Sequence, residues 1–464
     1  GCHSSHLKVV TMMARRRWRG PIPAPPKKGR VMNLKSPSES DPRARPEPFT
    51  FFPPKNNRLV TGLIKLGIRG AIRRKLQVHD IKISDEDLNT LRQLQDERCL
   101  LAPSHSGGFE PHIIMYLSKQ LGQDYNYVAA MELFQQSRVY RWLMPRLGVY
   151  SVIRGAVDRP SFSMTRQLLA EGKRWLVIFP EGQTIWQNSM LIPFQQGVFQ
   201  LAFKGYEDAR KQDAEASLYC IPMAIKYVYQ HDMHAEIDES LSRLEAKLGI
   251  ADETDDHSRY RRLRRIAEVV LAANEKAKGF KANPDASLND RAEQLKLHAV
   301  SQLEQQLGIT PSPRQQLLDR IRTLFNTVDR IVYSEPSGSD YERQLAQERQ
   351  AVVQDYYEDL WRLLQFVALE DGYVKASMTF ERFLDVLCLL EMEVCRERRI
   401  WGPRTALVKV GQPIDLKDRA DQYDRDKREA VQSITLEIED TVRTMLAELE
   451  SGCRMVQDLS LIHI

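Results

Sequence analysis

Through the first half of the chain, short apolar runs alternate with stretches whose apolar residues recur every three or four positions. Runs beginning at Leu100 and spanning 125–131, 149–153, 175–179 and 218–227 predict strands. Helical periodicity covers 58–76, 84–95, 132–147 and 161–170, and resumes after Pro111 with Ile113, Ile114 and Leu117. Alternation of this kind predicts an α/β fold: a layered, largely parallel sheet flanked by helices, with the loops beyond the strands' C-terminal ends forming the site. From 230 to 404 the pattern is helical throughout, broken at 252–257, 283–287, 310–313 and 335–340. Ser312 and Pro313 predict the start of one helix, with Leu317, Leu318, Ile321, Leu324, Phe325 and Val328 as its buried stripe. Tyr356, Tyr357, Leu360, Trp361 and Leu364 form a second stripe. A strand and turn at 406–414 and an amphipathic helix at 427–449 then close the chain.

The organisation that follows is a basic arm at 1–49, an α/β core at 50–229, an all-α insertion at 230–404, a closing strand and helix at 405–452, and a tail at 453–464. The arm carries Arg15, Arg16, Arg17, Arg19, Lys27, Lys28 and Arg30 among many prolines, so it is expected to be disordered. In the helix at 58–76, Val60, Ile64, Ile68 and Ile72 form an apolar face with Leu63 and Ala71. Arg58, Lys65, Arg69 and Arg73 project on another side. Basic amphipathic helices lie in bilayer interfaces, so this helix and the arm are expected to meet a membrane surface.

Composition narrows the class. An apolar content of 42% with 28% charged residues fits a globular protein rather than a disordered one. No run approaches the roughly 18 apolar residues of a spanning helix, so membrane contact is expected to be peripheral, on the cytoplasmic face. The cysteines Cys2, Cys99, Cys220, Cys388, Cys395 and Cys453 lack paired spacing, which predicts neither a metal site nor a redox motif and suits a reducing compartment. No secretory leader is visible. The chain opens on Gly1 and reads as a fragment or as carrying upstream translation, with Met12 or Met13 as candidate starts; the final residues 459–464 read as translated adapter sequence.

Two stretches carry the chemistry. Residues 100–111 read Leu-Leu-Ala-Pro-Ser-His-Ser-Gly-Gly-Phe-Glu-Pro, a strand, a small-residue turn and a helix start. Helix starts leave backbone N–H groups unpaired and attract anions. His105 is suited to take a proton near neutral pH, with Glu110 to orient the imidazole and stabilise its charged form. Residues 174–184, Arg-Trp-Leu-Val-Ile-Phe-Pro-Glu-Gly-Gln-Thr, form a second strand ending in a turn.

With Gly148, Ile153 and Arg154 between them and the apolar-Pro222 block after them, these stretches resemble the four blocks of the glycerolipid acyltransferases, the family of lysophosphatidate and glycerol-3-phosphate acyltransferases. Pro193, Phe194 and Gly197 also fall where that family continues. The resemblance covers about 58–229 and resumes near Ala406. It departs at Glu110, where the family usually has Asp, and at Gln183, Thr184 and Ile185, where the family favours Thr-Arg-Ser.

The resemblance implies transfer of a fatty acyl group from acyl-CoA or acyl carrier protein to a lysophospholipid hydroxyl, most naturally that of 1-acylglycerol-3-phosphate, to give phosphatidic acid. No cofactor is implied beyond the thioester co-substrate. His105 would be the general base and Glu110 its partner. Arg154 would contact an acceptor phosphate, while Phe179, Pro180, Glu181 and Gly182 would form the acceptor loop, Glu181 ordering it or meeting a hydroxyl. The competing expectation is a weak or inactive membrane-associated scaffold whose helical insertion recruits a protein partner. No nucleic acid is expected, since the folded part lacks a basic-aromatic platform. No Gly-x-Ser-x-Gly turn supports a hydrolase.

Overall fold

Alternate residues of the strand at 98–103 feed two different cores, and this fixes the layers. Cys99 and Leu101 join one buried cluster with Ile113, Ile114 and Leu117 of the helix Glu110–Gln120. Leu100 and Ala102 face the other, with Phe199, Phe203, Ile434, Ile438 and Val442. A strand covered on both faces must be apolar throughout, and residues 99–103 are all buried. The computed structural model describes residues 51–155, 158–250, 258–283, 285–333, 339–354, 356–367 and 371–456. The basic arm and residues 457–464 lie outside them.

The strands are β1 (Val78–Ile83), β2 (Arg98–Pro103), β3 (Asn126–Ala130), β4 (Val149–Val152), β5 (Leu176–Val177), β6 (Leu218–Tyr229), β7 (Arg404–Val410) and β8 (Ile414–Asp415). Their order is β1-β7-β6-β2-β5-β3-β4, with β8 pairing the start of β6. From β6 to β4 every pairing is parallel. β7 runs antiparallel to β6, and β1 runs parallel to β7. The sheet is thus largely parallel and flanked by helices, as the alternation predicts. The C-terminal ends of β2 and β5, adjacent in the order, carry the loops of His105 and Glu181.

Several element boundaries differ from the sequence expectation for local reasons. The helix expected at 132–147 is two, Met131–Gln135 and Arg138–Arg146, because Ser137 is extended and its hydroxyl caps the second helix by accepting from Tyr140 N at 3.1 Å. The helix expected from Ser312 and Pro313 begins at Leu317. β1, whose burial alternates weakly, was not expected, nor was the helix Gln196–Gln212, which supplies Phe199, Phe203 and Tyr206 to the second core.

The helix Arg58–Leu76 also divides its apolar residues differently. Ile68 and Ile72 are buried in the first core and Val60 and Ile64 pack against it, so the expected interfacial face is largely a core face. Leu59, Leu63 and Leu66 point outward instead, each more than 70% exposed. Lys65 pairs with Asp124 at 2.7 Å rather than facing outward.

Between β6 and β7 lie helices His234–Leu248, Arg259–Lys278, Leu288–Leu307, Leu317–Val332, Asp340–Gln354, Tyr356–Val367, Asp371–Ala376 and Phe380–Cys395. They form two buried clusters, and the second includes Ile185 and Ile192 from the loop after Glu181. The helical insertion therefore shares a core with the site loop. At the far end of the chain, Val456 N donates to Met378 O at 2.6 Å, so residues 453–456 pack on the insertion.

Candidate active site

The turn after β2 is tied down before it reaches His105. Ser104 N donates to Met223 O at 2.9 Å and its hydroxyl accepts from Ile225 N at 3.0 Å, both on the longer neighbouring strand β6. Gly108 then takes a left-handed conformation, φ 77°, which glycine adopts without steric cost, and the chain enters the helix Glu110–Gln120. This reversal brings the first helical side chain back over the turn. Glu110 is fully buried; Oε1 accepts from Gly107 N at 2.8 Å and Oε2 lies 2.8 Å from His105 Nδ1. Gly107 has no room for a side chain, since a Cβ there would lie 2.9 Å from Glu110 Oε1.

Burial pushes the Glu110 carboxyl upward, but the hydrogen bond and charge of His105, with the amides of residues 110 and 107, outweigh it and hold the group below the usual carboxylate range. An ionised Glu110 accepts a hydrogen bond from Nδ1–H, which leaves the lone pair of His105 on Nε2. The Phe179 ring stacks on the imidazole with centroids 4.1 Å apart. His105 can pivot little between these two contacts.

Glu181, also fully buried, grips both sides of the site: Oε1 accepts from His105 N at 2.6 Å and Oε2 from Ile192 N at 3.1 Å. Burial pushes its carboxyl up to about 8 against the pull of those two amides. Its contacts are those of a loop-ordering residue. Pro180 accepts from Gln195 N at 2.9 Å, and Gly182, φ 71°, would drive a Cβ into the Gln195 side chain.

Arg154 stands apart from this cluster. It follows β4, three strands from β2 in the sheet order, or about 14 Å at the usual interstrand spacing. Its guanidinium pairs with Glu132 and, at 2.8 Å, with Asp329 of the insertion, and these carboxylates raise its pKa against the effect of burial. Asp329 also accepts from Tyr357 Oη. Arg154→Ala would leave two largely buried carboxylates without their cation and is expected to cost about 3–5 kcal/mol of stability. A lower urea midpoint checks this; an unchanged midpoint with a raised acceptor KM would instead make Arg154 a substrate ligand.

Sequence reasoning missed two arginines that the insertion brings to the site. Arg322 donates to Pro193 O at 2.5 Å and to Glu181 O at 3.4 Å, clamping the loop that Glu181 orders. Arg398 donates to Gly107 O at 3.0 Å. Asp385, on the helix Phe380–Cys395, holds the same loop through Asn188 N at 2.7 Å. The only local signal for Arg398 is a short basic run, Arg396, Arg398 and Arg399, just before the return strand.

Residues 80–226, which run from within β1 to within β6 and include both site loops, match the protein-family model Acyltransferase. No curated protein matches the chain.

Proposed function

We propose that the chain, whose residues 80–226 match the Acyltransferase family model, moves a fatty acyl group from an acyl thioester to the free hydroxyl of a lysophospholipid. The donor is acyl-CoA or acyl carrier protein. The favoured acceptor is 1-acylglycerol-3-phosphate, which gives phosphatidic acid. The observation that carries this reading is the buried Glu110 carboxylate 2.8 Å from His105 Nδ1, an arrangement suited to a general base.

In this mechanism His105 Nε2 takes the hydroxyl proton as the acceptor oxygen attacks the thioester carbonyl. An oxygen–carbon bond forms, the carbon–sulfur bond breaks, and the imidazolium returns the proton to the departing thiolate. Glu110 stabilises the imidazolium in between. Backbone N–H groups at the start of the helix Glu110–Gln120 are suited to the developing oxyanion, a contribution often worth about 2.7–4 kcal/mol. The test is thiol release from a long-chain acyl-CoA with lysophosphatidate in mixed micelles, with the product identified by mass. Acceptor-dependent release is expected; silence with acyl-CoA, acyl carrier protein and other lysolipids would overturn the proposal.

A lipid acceptor calls for a membrane surface, and among the described residues no helix is long and apolar enough to cross one. The surface that supports peripheral contact, on the cytoplasmic face, is the outward Leu59, Leu63 and Leu66, with Val139 and Trp142 exposed on the neighbouring helix Arg138–Arg146. Arg69, Arg73 and Arg74 are exposed on the same first helix and suit anionic headgroups. The double variant Leu63→Asp, Leu66→Asp removes two side chains, each worth about 1.5–3 kcal/mol when fully buried. Flotation with phosphatidylglycerol vesicles should show at least about a tenfold loss of binding with an unchanged thermal midpoint. Undiminished flotation would move the contact elsewhere.

A further inference from the structure

Among the described residues Arg398 is a cation without an ion-pair partner beside the His105 turn. Its guanidinium lies 4.7 Å from the centroid of Phe109 and 4.2 Å from that of Trp186, and donates to Gly107 O, two residues from His105. The aromatic contacts and the carbonyl hold the guanidinium in one orientation. Several partly buried arginines meet carboxylates, as Arg154 meets Asp329, Arg320 meets Glu304 and Arg382 meets Glu450, while Arg98 and Arg404 end on backbone carbonyls away from the His105 turn. Among the described residues Arg398 forms no ion pair.

Of the groups that act on it, the Glu110 carboxylate attracts it without pairing with it, and the Cys388 side chain accepts a hydrogen bond. Glu110 is already engaged by His105 and Gly107 N. The Cys388 thiol, pushed up to about 11 by burial, is neutral at physiological pH. Arg404 adds a repulsive like charge, and burial further disfavours the guanidinium's charged form. A partly desolvated cation of this kind costs free energy until an anion arrives. A guanidinium has five N–H donors in a fork that matches phosphate; one is given to Gly107 and another meets the Cys388 side chain.

We propose that Arg398 binds the phosphate group of the acyl acceptor while His105 takes the proton from that acceptor's hydroxyl. The assignment rests on the acyl-transfer reading above and adds to it a specificity-determining residue from outside residues 80–226. The helical insertion thereby completes the site: its last segment, 396–403, carries the cation back across the His105 turn on the way to β7. It also gives the acceptor a chemical class, a phosphate ester rather than a neutral glyceride.

The test compares the native chain with Arg398→Gln on two acceptors of equal chain length, lysophosphatidate and monoacylglycerol, with acyl-CoA as donor. The ratio of their kcat/KM values is expected to fall at least about tenfold in the variant, mostly through the lysophosphatidate KM. A fall of both acceptors in step would make Arg398 a brace for Gly107 and overturn the proposal. A raised KM for acyl-CoA alone would give the phosphate to the donor and overturn it equally. Calorimetric binding of glycerol 3-phosphate supplies a readout independent of turnover: the native chain should bind it at least about tenfold more tightly than the variant. Should the native chain transfer no acyl group, the acyl-transfer reading fails, and the binding comparison still decides whether Arg398 holds a phosphate. Equal binding, or none to the native chain, overturns the proposal. Arg398→Lys, which keeps the charge and loses the fork, serves in the same measurements should the glutamine variant not fold.

Discussion

His105→Ala is expected to lower acyl transfer by about a hundred- to ten-thousandfold, the span usually carried by a positioned general base. The Glu110 carboxylate orients the imidazole through the 2.8 Å contact at Nδ1. The variant should still fold. His105 lies on the loop after β2, and the substitution removes one ring stacked on Phe179 and one hydrogen bond. Leaving the buried Glu110 with only backbone amide donors costs about 1–3 kcal/mol, a visible but tolerable drop in midpoint for a chain of this size. Initial-rate thiol release, with circular dichroism to confirm the fold, checks both halves. Turnover within threefold of the native chain would remove His105 from the mechanism.

Substitution of Glu110 should cost nearly as much. Glu110→Gln keeps the shape but replaces one acceptor oxygen with an NH2 group, which must face either Gly107 N–H or His105 Nδ1–H. Facing His105, it reverses the tautomer and puts the proton on Nε2, where the base is needed. A loss of at least about a hundredfold in kcat follows, since the histidine's catalytic contribution is of that order. Glu110→Asp shortens the side chain by one methylene. Both Glu110 oxygens sit at 2.8 Å from their partners, so aspartate is expected to lose one of them and to slow the reaction. A faster aspartate variant would show that glutamate is the poorer residue at this position. The carboxyl's depressed pKa also sets an acid limit. Its stabilising interactions are fully present above its unfolded value, near the ordinary 4.5, and are lost as pH falls through the lower folded value. The glutamine variant should lack that part of the acid sensitivity.

Much of the fold can be read from spacing. The runs at Leu100, 149–153 and 218–227 are buried strands because a strand covered on both faces admits few polar side chains, and each shows that in its composition. The breaks at 283–287 and 310–313 separate real helices for a similar local reason: turn residues interrupt the apolar period. The His105–Glu110 pair was equally legible, since its members are five residues apart on one turn. Where the local signal was weak the expectation failed. β1 is an edge strand, and helix Arg58–Leu76 carries apolar residues on two sides, so periodicity could not say which side meets the core.

By itself, then, the sequence determined the layered α/β core, the helical run between β6 and β7 and the local pairing of His105 with Glu110. All of these depend on contacts within a few residues or on which faces must be dry. Tertiary structure alone decided which charges meet. Arg154 is paired with a residue 175 positions away, and Arg398 lies against a turn 291 positions before it. A guanidinium's stem reads the same in sequence whether it ends on a carboxylate, a carbonyl or nothing. Only the packing of the insertion against the sheet's C-terminal edge gives the two arginines different partners, and with them different roles.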